Sequence, residues 1–157
     1  MEETRQLCTF LLGGHYYGID VMRVQEVIRY QEMTGVPLAP PDVRGLINLR
    51  GQIVTALDMR ARLGMAPRGA EPLPMNVVIR TPDGAASLLV DEIGDVIEVS
   101  EEKYEAVPET VPAIQRAFLR GVFKLEQRLL LEIDTDTLVA GDAPRAQGRG
   151  DRERAEP

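Results

Sequence analysis

The chain has one histidine, His15, and one cysteine, Cys8, so any nucleophile, base or metal ligand must come mainly from its carboxylates. A hydrolytic triad needs a nucleophile, a base and an orienting carboxylate, and structural zinc needs four nitrogen or sulfur ligands; one His and one Cys complete neither. His15 follows Gly13-Gly14, a hairpin-turn signal that points it to solvent. Cys8 stands beside Phe10 and Leu11 in an apolar run, the setting of a small core residue. Asp134 and Asp136 alternate like the start of a calcium loop, but the third ligand, glycine and closing glutamate do not follow in register. Neither a Gly-x4-Gly-Lys phosphate loop nor a dinucleotide fingerprint is present. The 25 acidic residues are spread over turns, as on a solvated surface, rather than paired for acid–base work. The chemistry that remains is recognition, with no enzymatic activity, metal or cofactor expected.

Charge narrows the partner. Formal net charge is −7, and from Asp142 onward four acidic residues balance four basic ones, so the whole excess belongs to the preceding residues. Nucleic acid is a poor partner for such a surface, because affinity for it rests on clustered Lys and Arg. A single cysteine excludes an internal disulfide and fits a reducing compartment. No run approaches the ~18 apolar residues of a membrane span, and Met1-Glu2-Glu3 lacks the basic start of a signal peptide. A cytoplasmic location without membrane insertion is expected.

The elements that would carry a recognition surface come in duplicate. Arg44-Gly45-Leu46-Ile47-Asn48-Leu49-Arg50-Gly51-Gln52-Ile53-Val54-Thr55-Ala56-Leu57-Asp58, laid over Arg120 to Asp134 at a shift of 76, keeps Arg, Gly, Leu and Asp identical. Six of the fifteen positions pair apolar with apolar. Upstream, at a shift of 69, Val21, Val24, Glu26, Val27 and Ile28 meet Val90, Ile93, Asp95, Val96 and Ile97. Echoes in the same order identify two copies of one supersecondary unit. Lobes of about 60 to 70 residues are marginal alone and should share a buried seam. With four Tyr, three Phe and no Trp, the cores fall to Val, Ile and Leu.

Leu7 to Leu12 and Tyr16 to Asp20 read as a hairpin around Gly13-Gly14. Val21, Val24, Val27 and Ile28 then sit at helical spacing, which predicts a helical turn or two leading into an extended stretch near Ile28 to Met33. Pro37, Pro40 and Pro41 break regular structure before a second hairpin, Gly45 to Leu49 and Gln52 to Asp58, turning at Arg50-Gly51. The second half repeats the scheme with Asn76 to Arg80, Ala86 to Asp91, Asp95 to Val99, Gly121 to Leu125 and Arg128 to Ile133, plus an insertion holding Pro108 and Pro112. Short strands with tight turns suit small five-stranded, SH3-like barrels better than a parallel sheet, which needs crossover helices. From Asp142 the chain has no apolar periodicity and reads as disordered.

Tyr17-Gly18-Ile19-Asp20, Val24-x-Glu26-Val27, Pro40, Arg44-Gly45-x-Ile47-Asn48-Leu49-Arg50-Gly51, Ile53-Val54 and Leu57-Asp58-x-Arg60 resemble the CheW family of bacterial chemotaxis adaptors. Val77-Val78-Ile79, Val90-Asp91-x-Ile93-x-Asp95-Val96 and Gly121 to Asp134 continue the resemblance in the family's order, from about Leu7 to Val139. It implies an all-β fold of two intertwined, packed, five-stranded SH3-like β-barrels with short helices. The domain would span 4–140, with a first barrel at about 4–62, a second at about 73–140, and a disordered tail at 141–157. It also implies a non-catalytic adaptor joining the cytoplasmic tips of methyl-accepting receptors to the regulatory domain of the histidine kinase CheA, in arrays beside the inner membrane.

By the same resemblance, Val21, Val24, Val27 and Val77 line a receptor groove at the seam, with Glu26 and Arg50 close by and able to pair with each other. An apolar groove is a good grip for a helical receptor tip. Met33, Arg44 and Ile53 would form the kinase face, where an exposed barrel edge is a natural adhesive. Glu105, Pro108 and Glu109 would form a loop contact that closes rings in arrays. Strand alternation supports part of this directly: Ile53 and Val54 must point to opposite faces, so one of them is outside. The alternative from a different class is a general binding barrel, for a small ligand or another signalling kinase, using the same seam.

Overall fold

The computed structural model describes residues 3–69 and 72–140. The tail expected to be disordered, 141–157, lies outside the described residues. Strands β1 (Thr4–Leu12) and β2 (His15–Asp20) form a hairpin in which Leu12 faces His15. Its two turn residues, Gly13 and Gly14, take φ of 57° and 83°, the left-handed backbone that tight hairpins need and that glycine adopts without a Cβ clash.

The helical turn or two expected from the spacing of Val21 to Ile28 is cut short, and the extended stretch begins earlier than expected. Only one 3-10 turn appears, at Val21–Arg23, where the Asp20 carboxylate accepts the Met22 N–H at 2.9 Å, and strand β3 (Val24–Ile28) follows at once. The cause is a β-bulge. Val24 pairs with Ile79 and Glu26 with Val78, leaving Gln25 as an extra residue, so Val24 and Val27 share a face at a spacing of three. In sequence, that spacing imitates a helical period.

Strands β4 (Val43–Leu49) and β5 (Gln52–Asp58) follow, then α1 (Met59–Arg62), β6 (Met75–Thr81), β7 (Gly84–Val90) and β8 (Glu92–Ser100). The chain ends in β9 (Tyr104–Glu105), α2 (Ala113–Arg116), β10 (Leu119–Lys124), β11 (Leu129–Ile133) and α3 (Thr135–Ala140). Strand β9 and the three short helices lie outside the elements read from periodicity. None is long enough to show a period.

The fold is mostly β, in two sheets, but pairing sorts the strands across the two halves. One sheet runs β3-β6-β7-β5-β4 and the other β8-β1-β2-β11-β10-β9. The N-terminal hairpin therefore belongs with strands from the second half of the chain: β1 pairs with β8, and β2 pairs with β11 in parallel. A split into contiguous barrels at 4–62 and 73–140 does not follow the sheets. The duplication itself is present in permuted form, with β3, β4, β5, β6 and β7 answering to β8, β10, β11, β1 and β2.

Three details establish that correspondence. The hairpin β4–β5 has a bulge at Arg44, where Val43 faces Leu57 and Gly45 faces Ala56; β10–β11 has one at Arg120, where Leu119 faces Ile133 and Gly121 faces Glu132. The parallel pairs Thr55 with Ala86 and Leu131 with Tyr17 are likewise equivalent. Asp58 and Asp134 each cap the helix after their hairpin, accepting the N–H of Ala61 at 3.2 Å and of Thr137 at 3.1 Å. Even β9, which makes the second sheet six-stranded rather than five, has a counterpart. It pairs through Glu105 with Val122, while Thr34 makes a single bridge to Leu46. The crossing segment explains Gly45 and Gly121: a Cβ at Gly121 would strike the Tyr104 ring, and one at Gly45 would lie 2.6 Å from the Thr34 carbonyl oxygen.

Each unit has its own interior, and a larger core joins them. Ile47, Val54 and Val78 are buried inside the first, and Leu7, Phe123 and Leu130 inside the second. Between them, Phe10, Leu12, Tyr17 and Ile19 meet Leu57, Met59, Val77 and Ile79. Polar links brace the seam. Arg62 and Asp42 form a fully buried ion pair at 3.1 Å, and the Arg62 guanidinium lies 5.9 Å over the Phe118 ring. Asp91, at the passage from β7 to β8, accepts both Nε and a terminal nitrogen of Arg60 at 3.0 and 2.6 Å, and the Gly13 N–H at 2.8 Å.

Burial acts to raise the Asp91 pKa, but the hydrogen bonds from Arg60 and Gly13 and the charges of Arg60 and Arg68 outweigh it and hold the carboxyl below its usual value. A depressed folded pKa means that the carboxylate stabilises the fold above the unfolded pKa, near 3.9, and that this contribution is lost as pH falls through the folded value. Asp91→Asn should lower the unfolding free energy at pH 7 by about 1 to 3 kcal/mol. In urea titrations the gap from wild type should close as pH is lowered below about 4. A gap that persists in acid would mean that the shape of the side chain matters and its charge does not.

Candidate functional site

The residues proposed for the receptor groove gather on β3 and the turn before it. Val21 and Val24 are half-buried and Val27 is 36% exposed, all along the edge strand of the five-stranded sheet. Val77 does not join them. It faces the seam core from β6 with no exposed surface, beside its paired neighbour Val27 in the same sheet. A groove here is lined by β3, with Val77 buried beside it on the next strand. Met22, unmarked by any periodicity, is 76% exposed at the head of this stripe.

Several contacts fix the stripe. Arg80 donates to the Met22 and Val24 carbonyl oxygens at 3.2 and 2.6 Å, and Arg23 pairs with Asp136 of α3 at 2.8 Å. Glu26 and Arg50 form the ion pair that their placement suggested. Arg50 occupies the first position of the β4–β5 turn at φ 53° with Gly51 at 90°, and the Asn48 side chain accepts the Gly51 N–H at 2.8 Å. β3 and β4 are the two ends of the sheet, and this pair brings the turn after β4 within side-chain reach of β3.

Ile53 and Val54 resolve as alternation requires: Ile53 is 61% exposed and Val54 is 1%. β5 begins to pair with β7 only at Thr55, so the hairpin around Ile53 projects beyond the sheet. Arg44 is the bulge residue of β4, a position that re-aims a side chain, and it is exposed with Asp58 at 3.5 Å. Met33 is half-buried against the interior of the first unit. This face is thus a projecting hairpin and a bulge, not a free strand edge. β5 is internal to the sheet, and Thr34 bridges to Leu46 on β4. Glu105, Pro108 and Glu109 are exposed on the other sheet's side, Glu105 pairing with Lys124 at 2.6 Å.

Little here suits catalysis. Cys8 is buried, which pushes its thiol pKa up and away from reactive thiolate, and burial pushes the Tyr17 phenol up to about 12. His15 is exposed at the mouth of a cleft of about 780 Å3, between the Tyr16–Leu129 surface and the Thr110–Gln115 segment, where Arg128 lies 4.4 Å over the Tyr16 ring. Among the described residues, no group of three or more His, Cys, Asp or Glu could hold a metal ion, and no helix is long and apolar enough to cross a membrane.

Comparison with known proteins decides the family. The CheW-like domain family matches residues 6–143. The chain belongs to the CheW family. The chemotaxis protein CheW of Rhizobium meliloti is 32% identical over 140 residues, covering 88% of this chain and 89% of that one. The protein PilI of Pseudomonas aeruginosa is 28% identical over 123 residues, covering 78% and 68%. In three dimensions the chain is similar to the crystal structure of the scaffolding protein TtCheW from Thermoanaerobacter tengcongensis, with a TM-score of 0.79 and 29% identity, covering 87% of this chain and 92% of that one. A scaffolding or adaptor role in chemotaxis signalling goes with CheW membership.

The Glu26–Arg50 pair is open to solvent on the arginine side, where 69% of the side chain is exposed. Pairs of this kind contribute about 0 to 1 kcal/mol. Glu26→Ala should therefore shift the urea midpoint only slightly. A loss of partner binding of more than about tenfold in that variant would assign the pair to recognition, whereas a large loss of stability would assign it to the fold.

Proposed function

We propose that this CheW-family chain is a non-catalytic adaptor that couples methyl-accepting chemotaxis receptors to the histidine kinase CheA, at arrays beside the inner membrane. The observation that carries the reading is Ile53: a large apolar side chain left 61% exposed on a projecting hairpin, one residue from a neighbour that is 1% exposed. An apolar side chain held out in water on a rigid turn suits a partner that buries it. Arg44 supplies a charge at the other end of the same hairpin and Met33 a supported base, together the docking face for the CheA regulatory domain.

The receptor tip takes the other face. Val21, Val24 and Val27, with exposed Met22, offer a narrow apolar stripe on which a helix can lie, and Arg80 and Asp20 hold the turn that shapes it. Val77 borders the stripe on the adjacent strand, paired with Val27. Glu26 and Arg50 stand between the two faces. Glu105, Pro108 and Glu109, on the opposite sheet, form the third contact, through which neighbouring complexes join.

Two variants test the separation of the faces. Ile53→Glu with Arg44→Glu should abolish binding to the CheA regulatory domain by titration calorimetry and leave receptor-peptide binding within about threefold, since truncating a good anchor typically costs about 2 kcal/mol or more. Val24→Asp should do the reverse, weakening receptor binding at least about thirtyfold through a desolvated carboxylate without a partner. Circular dichroism should show both variants folded. Unchanged kinase affinity in the first variant would move the docking face elsewhere. A wild-type chain without kinase affinity would favour a general binding barrel.

A further inference from the structure

Between Met33 and Arg44 the chain makes an excursion whose tip is Val36-Pro37-Leu38-Ala39. The Ala39 N–H donates to the Val36 carbonyl at 3.3 Å, closing a four-residue turn, and Leu38 has φ of 63°. Proline followed by a residue at positive φ is the pattern of a type II turn, whose second central position favours Gly or Asn because a larger side chain crowds the following carbonyl. Leu38 is also fully exposed, at 103%, with Val36 beside it at 38%. Both the backbone and the side chain of Leu38 are thus in the less favourable state for the isolated protein.

Among the described residues, the other non-glycine residue with positive φ is Arg50, which is tied to Glu26. The loop around Leu38 is firmly anchored. Thr34 exchanges two backbone hydrogen bonds with Leu46, at 2.9 and 2.8 Å, and the Val43 N–H donates to the Pro40 carbonyl at 2.9 Å. Pro37, Pro40 and Pro41 stiffen what lies between. The tip is therefore presented in one conformation, on a loop that leaves the proposed kinase face at Met33 and re-enters it at Arg44. A rigid apolar knob loses little conformational entropy on binding, which is what makes a good anchor.

We infer that Leu38 is a preformed apolar anchor of the kinase-docking face, inserting into a leucine-sized apolar pocket on the CheA regulatory domain. The inference rests on the adaptor reading above and extends that face by one loop. The test is Leu38→Asn, because Asn tolerates left-handed backbone while removing the apolar volume. Its melting temperature should equal or exceed that of wild type, while affinity for the CheA regulatory domain falls by about tenfold or more. Leu38→Met keeps the volume and should bind within about threefold of wild type. Receptor-peptide binding should not change. Wild-type kinase affinity in Leu38→Asn, with binding abolished in the Ile53→Glu, Arg44→Glu variant, would remove Leu38 from the contact and leave the adaptor reading standing. A clear drop in melting temperature would show Leu38 to be a packed structural residue and would overturn the inference as well. No kinase affinity in the wild-type chain would defeat the adaptor reading itself.

Discussion

The parallel pairing of β2 with β11 is the constraint on which the rest depends. It places the N-terminal hairpin inside the unit built from the end of the chain, so the β3–β7 unit is inserted between two parts of the other. A linker between two lobes would allow them to swing. Here a continuous core of Phe10, Tyr17, Leu57, Ile79 and their neighbours fills the seam, and Asp91 ties the hairpin turn to α1 across it. Surfaces carried by different strands of the two sheets are consequently held at fixed mutual positions. For a scaffold, whose product is the relative placement of its partners, that rigidity is the working property.

The two units share a plan and diverge where it is most instructive. The bulged arginines Arg44 and Arg120, the glycines after them and the capping aspartates Asp58 and Asp134 are the same in both. Where the first unit buries the methyl group of Ala56, the second buries the carboxylate of Glu132, and Arg5 takes both of its oxygens at 2.6 and 3.0 Å while also bonding Asp20 at 3.0 Å and Glu101 at 2.6 Å. One cation thus links β1, β2, β11 and the turn after β8. A buried carboxylate is tolerated only with such partners, so the second unit needs the N-terminal hairpin for its charge as well as for its strands.

Local features were legible from sequence because they depend on local chemistry. Gly13-Gly14, Arg50-Gly51 and the alternation that exposes Ile53 and buries Val54 all read correctly. The strand at Val24–Ile28 did not, since one extra residue in a bulge turns a period of two into an apparent helical spacing. Val77 was assigned to the groove by the family resemblance, and only the placement of β6 between two covered faces shows that it is buried with Val78 and Ile79. The exchange of the N-terminal hairpin has no local signature at all; it is set by strand pairs far apart in the chain, such as Leu11 with Glu92 and Tyr16 with Leu130. Leu38 was hidden for a different reason, since among three prolines a leucine reads as linker and its positive φ exists only once the turn has closed.

The permuted order of strands has a consequence for how the protein is made. During synthesis the β1–β2 hairpin leaves the ribosome first, yet the strands that cover it, β8 and β11, follow only after most of the chain has been added. At about 5 to 20 residues per second that delay is on the order of ten seconds. Throughout it Leu7, Phe10, Leu12, Tyr17 and Ile19, each without exposed surface in the finished fold, have no partner from their own unit beyond the hairpin itself. The β3–β7 unit, contiguous in the chain, can complete itself meanwhile and offer its side of the seam as a provisional shelter. The hairpin thus waits for the strands of its own sheet while the first unit already has all of its own.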